Sequence, residues 1–298
     1  MFCSECLSAS TSNRKDQNIQ INRILLTGGS GLVGKTLAPM LKSRYEVTHF
    51  DTSDPGDALP YVEGDLRDSS AVADACRSMD AVIHVAGLHG HAWTEAGDDV
   101  GFEVNVVGTK NILEGAVKAK VKRVVFTSSI WATGHGTNPP YLPLDENLAR
   151  EPVELYGLTK IIGEQLCRYA SSTHDISSIV LRPGGIVPAE AYGPNQARYL
   201  GGAVDVRDVA QAHVLALEAP ADIQHDVFII TTDSPLCRVD PDKFRDDPAA
   251  ALENVVPGVA ELAAKSKLRL SSDMEWYTVQ KAKQVLGYKP KHNFTITG

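Results

Sequence analysis

The sequence is poor in cysteine, has no excess of positive charge and contains no long apolar run. Its five cysteines, spread over 298 residues, are an odd set without a disulfide-rich pattern, which is typical of a reducing compartment. The formal net charge of -8 leaves no basic field for a phosphate backbone, so nucleic acid is not an expected partner. No apolar run approaches the roughly 20 residues of a membrane span. We therefore expect a cytoplasmic protein that binds neither a membrane nor a nucleic acid.

The amino terminus offers little chemistry. Cys3 and Cys6 form a lone C-x-x-C, but a zinc or redox site would need a second pair or nearby histidines, and neither follows. We therefore predict no metal site. Residues 1–22 are polar and lack the apolar core of a signal peptide, which predicts a disordered leader.

A glycine-rich segment, TGGSGLVG, follows the short apolar run Ile24–Leu26 and precedes apolar residues with helical spacing. The run predicts a buried strand that turns directly into a helix. Exposed N–H groups and the positive helix end at such a turn attract a phosphate, and glycine lets the backbone approach it closely. The glycines Gly28, Gly31 and Gly34 therefore indicate a dinucleotide-binding loop, although glycine-rich turns are common in proteins without one.

Two aspartates follow later predicted strands. Asp51 lies about 20 residues beyond Gly31, where a carboxylate accepts hydrogen bonds from the adenosine ribose and repels a 2′-phosphate. A solvated loop aspartate is the plainer interpretation, but the register with the glycines favours a cofactor contact. We therefore predict NAD rather than NADP. Asp65, beyond the third strand, is placed to reach the adenine amino group.

Apolar runs alternate with helical segments along the first two thirds of the chain. Strands are predicted at 46–50, 81–85, 123–127 and 177–181, and helices at 68–78, 102–118 and 155–171. Repeated strand–helix units imply an α/β Rossmann fold, in which a doubly wound parallel sheet has helices on both faces.

The pattern changes after about residue 183. Proline- and glycine-rich loops surround one predicted helix at 206–218 and one predicted strand at 227–230. We expect residues 23–182 to form an NAD-binding core that carries the catalytic residues. Residues 183–298 are expected to complete that core and to form a small C-terminal lobe, which binds substrate over the strand ends, where open parallel sheets bind ligands.

Two short segments contain side chains suited to proton transfer. Tyr156 and Lys160 are four residues apart in LYGLTK, at the start of a predicted helix and hence on one face. A lysine ammonium beside a phenol lowers the phenol's pKa, which makes tyrosine a usable general base or acid. Thr127–Ser129 end a predicted strand, where a hydroxyl is placed to hydrogen-bond a substrate oxygen. Alone, each pattern also fits an exposed helix pair or a turn.

In combination, these segments resemble the extended short-chain dehydrogenase/reductases, specifically the NAD-dependent epimerase/dehydratase family. The resemblance runs from Arg23 to about Asn293. It rests on the following segments, found here in family order: TGGSGLVG, Asp51 after the second strand, GDLRD, VIHVAG, EVNVVGTKNILEGA, VVFTSS, YGLTK, LRPGGIV, DVRDVAQAHVLALE and KAKQVLGYKPK.

The resemblance implies a role for each matching residue. Tyr156 would be the catalytic base, Lys160 would lower its pKa and bind the nicotinamide ribose, and Asn105 would brace the active-site helix. Gly134 aligns with the family's glycine after the active-site strand, which selects Ser129 over Ser128 as the catalytic hydroxyl. The implied cofactor contacts are Gly28, Ser30, Gly31, Leu32, Val33, Gly34, Asp51, Asp65, Leu66, Val85, Ala86, Gly87, Asn105, Thr127, Tyr156, Lys160, Pro183 and Ile186.

Departures from the family pattern bear on the substrate. Gly185 stands where UDP-galactose 4-epimerase and its relatives have an asparagine that holds the nucleotide sugar, and the stretch from Arg182 to Asp205 is short. The chain is more similar to uronate dehydrogenase-type short members of the family. We therefore predict an NAD-dependent dehydrogenase of a sugar or a sugar acid. The alternatives are a nucleotide-sugar epimerase similar to UDP-glucose 4-epimerase, or a dehydratase, either of which retains its cofactor. A protein that binds NAD without turnover is a third hypothesis, which an intact Tyr-Lys-Ser set disfavours.

The predicted substrate pocket is lined by His89, His91, Ser129 and Gly185. Arg182 fits either a cationic partner for a substrate carboxylate or an interior ion pair. Trp93 and Trp131 fit either pocket walls or core residues, and core positions are the expectation. Family members commonly form homodimers through the helices at 102–118 and 155–171, so a homodimer is expected.

Overall fold

The computed structural model describes residues 19–134, 139–193, 195–265 and 268–296. Most of the predicted leader, with Cys3 and Cys6, lies outside the described residues. The described residues form nine strands: β1 (Arg23–Thr27), β2 (Glu46–Asp51), β3 (Tyr61–Glu63), β4 (Ala81–His84), β5 (Arg123–Thr127), β6 (Ser177–Pro183), β7 (Gly185–Val187), β8 (Ala203–Asp205) and β9 (His225–Ile230).

Seven strands form one parallel sheet in the order β3-β2-β1-β4-β5-β6-β9. Its central strands are apolar and buried along nearly their whole length, as expected for a sheet covered on both faces. The strand order reverses between β1 and β4, so the loops after these strands diverge and open a crevice at the carboxyl edge of the sheet.

Helices alternate with these strands. Their bounds are α1 (Leu32–Leu41), α2 (Ser69–Cys76), α3 (Gly90–Ala96), α4 (Asp98–Phe102), α5 (Gly108–Lys118), α6 (Leu155–Thr173), α7 (Val206–Leu217), α8 (Pro241–Asp246), α9 (Pro248–Glu253), α10 (Val259–Ala264) and α11 (Gln280–Val285), with a π-helical turn at Glu103–Val107. Short 3₁₀ turns lie at Ile130–Thr133, Ala189–Ala191, Ala197–Tyr199 and Pro235–Arg238.

Two apolar cores are formed where the helices pack against the two faces of the sheet. Leu37 of α1 and Val209 of α7 belong to the core on one face. Val72 of α2, Ile112 of α5 and Cys167 of α6 belong to the core on the other face. The predicted doubly wound α/β Rossmann fold is therefore confirmed.

The C-terminal half contributes to two regions of the molecule. Strand β9 joins the edge of the main sheet beside β6. A third core, which contains Tyr199, Phe244 and Trp276, lies beside the small β7–β8 sheet. The assignment of residues 183–298 to a substrate lobe stays a prediction. Among the described residues, no helix has the length and apolarity needed to cross a membrane.

A buried ion pair joins β6 to the long helix α6. Arg182 donates from Nε and Nη2 to the two carboxylate oxygens of Glu164, each at 2.8 Å, and both side chains are excluded from solvent. The Ser128 hydroxyl donates to the same carboxylate at 2.6 Å. Arg182 is therefore an interior ion-pair residue and not a cationic partner for a substrate carboxylate.

Breaking one side of this ion pair should destabilise the fold. We expect Glu164→Ala to lower the free energy of unfolding by about 3–5 kcal/mol, because the Arg182 charge would remain buried without a partner. A double variant with Glu164→Leu and Arg182→Met should lose much less, since it removes both charges. Chemical denaturation measures all three proteins, and a Glu164→Ala variant within about 1 kcal/mol of the wild type would contradict the assignment.

Candidate functional site

A cavity of about 1010 Å³ opens at the carboxyl edge of the sheet, where the strand order reverses. It is lined by nearly all of the residues singled out in the sequence. Those residues are Gly28, Ser30, Gly31, Leu32, Val33, Asp51, Asp65, Leu66, Val85, Ala86, Gly87, His89, Thr127, Ser129, Tyr156, Lys160, Pro183, Gly185 and Ile186. The exceptions are Gly34, Asn105 and His91, which lie outside the cavity wall.

Glycine is required at both ends of the turn between β1 and α1. Gly28 has a φ of +75°, and a Cβ there would lie 2.7 Å from the backbone nitrogen of Ala86. A Cβ on Gly34 would lie 2.2 Å from the carbonyl oxygen of Gly28. Gly34 therefore permits the helix to pack against the loop rather than lining the cavity itself. The close packing keeps the N-terminus of α1 open toward the cavity, as an anion-binding turn requires.

Both predicted acidic residues lie at the cavity. Asp51 accepts hydrogen bonds from the Ser30 backbone N–H at 2.9 Å and from the Ser30 hydroxyl at 2.8 Å, which orient its carboxylate beside the glycine turn. Asp65 is held by the Arg67 guanidinium, whose hydrogen bonds lower the pKa of that carboxyl. The pairing of Asp65 with Arg67 was not predicted from the sequence.

Ser129, Tyr156 and Lys160 converge on one side of the cavity. The Lys160 ammonium is buried, donates to the Thr127 carbonyl at 3.0 Å and lies 5.7 Å from the centre of the Tyr156 ring. Burial lowers the pKa of Lys160 to about 8 against the opposing effect of the Glu164 carboxylate.

The pKa of Tyr156 differs from the sequence prediction. Burial raises the pKa of Tyr156 to about 12, and a side-chain hydrogen bond with Ser129 acts in the opposite direction. The prediction that Lys160 lowers the pKa of this phenol is therefore wrong. The physical reason is that burial disfavours the charged phenolate, while the Lys160 ammonium donates to the Thr127 carbonyl.

Asn105 lies behind the cavity wall, in the π-helical turn before α5. Its side-chain oxygen accepts the Leu88 N–H at 2.7 Å, and its amide nitrogen donates to the Leu88 carbonyl at 2.9 Å and to the Thr159 hydroxyl at 3.3 Å. The side chain thus connects the loop after β4 to α6, the helix that carries Tyr156 and Lys160. This geometry fits a brace and gives Asn105 no direct position on the cavity surface.

A buried hydrogen-bond chain extends from the glycine turn to Asn105. The Thr109 hydroxyl donates to the Asn105 carbonyl at 2.6 Å, so it accepts from His84 Nε2 at 3.1 Å. Nδ1 of the neutral ring therefore accepts from the Thr27 hydroxyl at 2.8 Å, and that hydroxyl accepts the Ala86 N–H at 3.2 Å. Full burial, with Lys160 nearby, lowers the pKa of His84 to about 3, so the ring is neutral. The VIHVAG motif contains this histidine, but sequence spacing could not reveal its partners.

The two tryptophans lie at the cavity instead of in a core. Trp93 and Trp131 both line it, and 37% of Trp131 is exposed, so the expectation of core positions is wrong. His91 is also placed differently from the prediction: its side chain is 85% exposed and its ring faces Glu95 one turn along α3. His89 does line the cavity, with its ring centre 6.4 Å from that of Tyr156.

A second cavity of about 620 Å³ shares Trp131, Gly185 and Ile186 with the first. Its wall carries two arginines, Arg198 and Arg269, for which the described residues provide no ion-pair partner. Neither arginine was predicted from the sequence. Neither belongs to a motif, and the fold of the C-terminal half brings the two to one cavity. Among the described residues, no group of three His, Cys, Asp or Glu side chains is arranged to hold a metal ion.

Residues 24–201 match the NAD dependent epimerase/dehydratase family. Short-chain dehydrogenase/reductase family 42E member 1 of Danio rerio is 34% identical over 63% of this chain; the match covers 49% of the relative, so the chain spans about half of its length. The NAD-dependent glucose-6-phosphate dehydrogenase of Haloferax volcanii is 27% identical over 92% of the chain and 96% of the relative. The solved structure of a mutated uronate dehydrogenase has a TM-score of 0.67 and 26% identity, covering 92% of this chain and 83% of that one. These matches agree with the predicted family, fold and cofactor.

We propose that Asp51 selects NAD over NADP. Its oriented carboxylate would repel a 2′-phosphate, so wild-type protein should bind NAD at least about tenfold more tightly, a difference of ~1.4 kcal/mol in binding free energy. Asp51→Asn should reduce the difference between the NAD and NADP affinities, because it removes the charge but keeps an oxygen that can accept from Ser30. Calorimetry measures both affinities.

Asp65→Asn is the matched control for this prediction, since it removes a second cavity carboxylate that Arg67 already neutralises. It should leave the preference between the two cofactors unchanged. Equal or tighter binding of NADP by the wild type would contradict the role of Asp51.

Proposed function

Because this chain belongs to the NAD-dependent epimerase/dehydratase family of enzymes, we propose that it is a dehydrogenase that oxidises a hydroxyl of an anionic sugar or sugar acid. The observation that carries the proposal is the convergence of Ser129, Tyr156 and Lys160 at a cavity that shares wall residues with a second one, which carries two arginines. The first feature supports proton transfer, and the second supports recognition of an anion.

The cavity residues fit an NAD molecule. The Gly28 turn, which has no room for a Cβ, and the open N-terminus of α1 suit a pyrophosphate. Asp51 would accept hydrogen bonds from the adenosine ribose, and Lys160 would bind the ribose near the nicotinamide. When bound, NAD supplies the acceptor for the hydride that leaves the substrate carbon.

The protein groups would handle the proton and the substrate oxygen. The proton of the substrate hydroxyl would pass to the Tyr156 oxygen as the C–O single bond becomes a carbonyl, with bound NAD supplying the hydride acceptor. Ser129 would hydrogen-bond the same substrate oxygen. The hydrogen bond between Ser129 and Tyr156 acts against the effect of burial on the phenol's pKa, and so favours the phenolate that must accept the proton.

The substrate's negative charge would be recognised in the second cavity. Arg182 is paired with Glu164 in the interior, which leaves Arg198 and Arg269 as the cationic side chains that line the second cavity. Guanidinium groups bind carboxylates and phosphates with paired hydrogen bonds. The named activities of two similar proteins, a glucose-6-phosphate dehydrogenase and a uronate dehydrogenase, both involve sugars with an anionic group, which supports this substrate class.

The second cavity also favours one alternative function. Two arginines could hold the diphosphate of a nucleotide sugar, and the same Tyr156 chemistry would then serve an epimerase that returns the hydride to the sugar. In that enzyme the cofactor is regenerated within each turnover. Net formation of NADH therefore separates the two functions.

A substrate panel tests the proposed dehydrogenase. Purified protein is incubated with NAD and, separately, with hexuronates, hexose phosphates, neutral aldoses and UDP-sugars, and NADH is followed by its absorbance. We expect net NADH with a uronate or a sugar phosphate and little with neutral aldoses. An isomerised UDP-sugar without net NADH would overturn the dehydrogenase in favour of the epimerase.

Tyr156→Phe should lower turnover of the best substrate by about two to four orders of magnitude, because it removes the acid–base group while preserving the ring. NAD affinity, measured by calorimetry, should remain close to that of the wild type. Tyr169→Phe is the matched control, since Tyr169 is exposed on the same helix. A Tyr156→Phe variant with more than about a tenth of wild-type turnover would contradict the proton-transfer role.

We also propose that the protein is a homodimer. Four apolar side chains are exposed on neighbouring helical segments: Phe102, Val107, Leu158 and Tyr169. A second copy would cover them through a helix–helix interface. Light scattering should give a dimer mass for the wild type and a monomer mass for Leu158→Glu with Tyr169→Glu, whereas Val285→Glu on α11 should remain dimeric. A wild-type monomer across micromolar concentrations would contradict the interface.

A further inference from the structure

The short helix α3 lies at the cavity but has no buried face that would hold it against the rest of the protein. None of its seven residues is buried. Gly90 at its start and Gly97 just beyond its end have φ values of +53° and +82°, so the chain turns sharply on either side. A single turn or two of helix without a buried face is not stable alone in water. The position of α3 must therefore depend on specific side-chain contacts.

Trp93 provides such contacts on two sides. Its indole N–H donates to the Asp98 carboxylate at 2.9 Å. Its six-membered ring lies against Gly101 of α4, where a Cβ would be only 2.6 Å from Trp93 Cε3. Gly101 is thus the residue that leaves space for the indole. The hydrogen bond and the glycine contact together fix the plane of the ring.

A third side of Trp93 meets the catalytic tyrosine. The ring centres of Trp93 and Tyr156 are 6.0 Å apart and the planes are inclined by 78°, an edge-to-face arrangement that aromatic pairs favour. Tyr156 lies in the first turn of α6, where the N-cap residue Glu154 makes no side-chain capping hydrogen bond. The helix end therefore does little to fix the phenol, and its lateral packing matters more.

We propose that Trp93 is a positioning residue, which holds α3 against the body of the protein and fixes the phenol of Tyr156 for proton transfer. The proposal rests on the proposed function, because it assigns Tyr156 the acid–base role. Trp93 acts through Tyr156 and takes no part in bond making. Misplacing a reacting group by about 1 Å is enough to slow a reaction about a hundredfold.

Two substitutions at Trp93 test this role. Trp93→Leu should lower kcat by about tenfold to a hundredfold while NAD affinity stays within about twofold of the wild type. Trp93→Phe should recover most of that loss, because it restores an aromatic edge against Tyr156. Glu95→Gln is the matched control on the same helix. The Glu95 side chain is 68% exposed and faces His91, so kcat of this variant should be unchanged.

A double-mutant cycle tests the contact independently. Gly101→Ala should reduce kcat in the wild-type background, because the new methyl group displaces the indole. In the Trp93→Leu background the same change should have little further effect, since the contact is already gone. Additive losses, or a Trp93→Leu variant within about threefold of wild-type kcat, would overturn the positioning role.

Hydrogen exchange gives a readout that needs no substrate. Amides of α3 should exchange faster in Trp93→Leu and at nearly the wild-type rate in Trp93→Phe, while the strands of the main sheet are unaffected. Unchanged exchange of α3 in Trp93→Leu would overturn the anchoring part of the proposal. If hydrogen exchange behaves as expected but the wild type turns over no sugar, the proposed function is wrong and the anchoring role of Trp93 stands.

Discussion

The site depends on the side-chain hydrogen bonds of Asn105. They hold both backbone groups of Leu88 and also reach Thr159, next to Lys160 on α6. The loop after β4, which continues into α3, is thereby tied to the helix that carries Tyr156. The π-helical turn at Glu103–Val107 contains Asn105, and such turns occur often at functional sites. These hydrogen bonds join the two walls of the cavity directly, in addition to the ring contact between Trp93 and Tyr156.

Buried hydrogen bonds also connect Asn105 to the residues beside the glycine turn. The chain of hydrogen bonds through Thr27, His84 and Thr109 has a single consistent direction, from the Ala86 N–H to the Asn105 carbonyl. Burial keeps the His84 ring neutral, and the Thr109 hydroxyl, which donates to the Asn105 carbonyl, requires the Nε2–H tautomer. A buried network with every member satisfied specifies one arrangement. The glycine turn and the side of the cavity that carries Tyr156 are therefore positioned together.

Much of the fold and part of the site could be predicted from the sequence. Periodicity located the strand–helix units, and motif spacing selected residues that do line one cavity, from Gly28 to Tyr156. Features set by long-range packing could not be read in this way. Spacing cannot distinguish a buried Arg182 from a ligand, and α3 lacks the apolar face that reveals a helix. The positions of Trp93 and the partners of Lys160 likewise depend on how distant elements pack, not on local pattern.

The central claim is net oxidation, with a proton passed to Tyr156 and a hydride passed to NAD. The most direct measurement uses a sugar acid or sugar phosphate deuterated at the carbon that is oxidised. Mass spectrometry then follows the label in both the released cofactor and the sugar. The account predicts one deuterium in each NADH released and none at the oxidised carbon of the product. Deuterium that remains in an isomerised sugar, with no labelled NADH released, would contradict it.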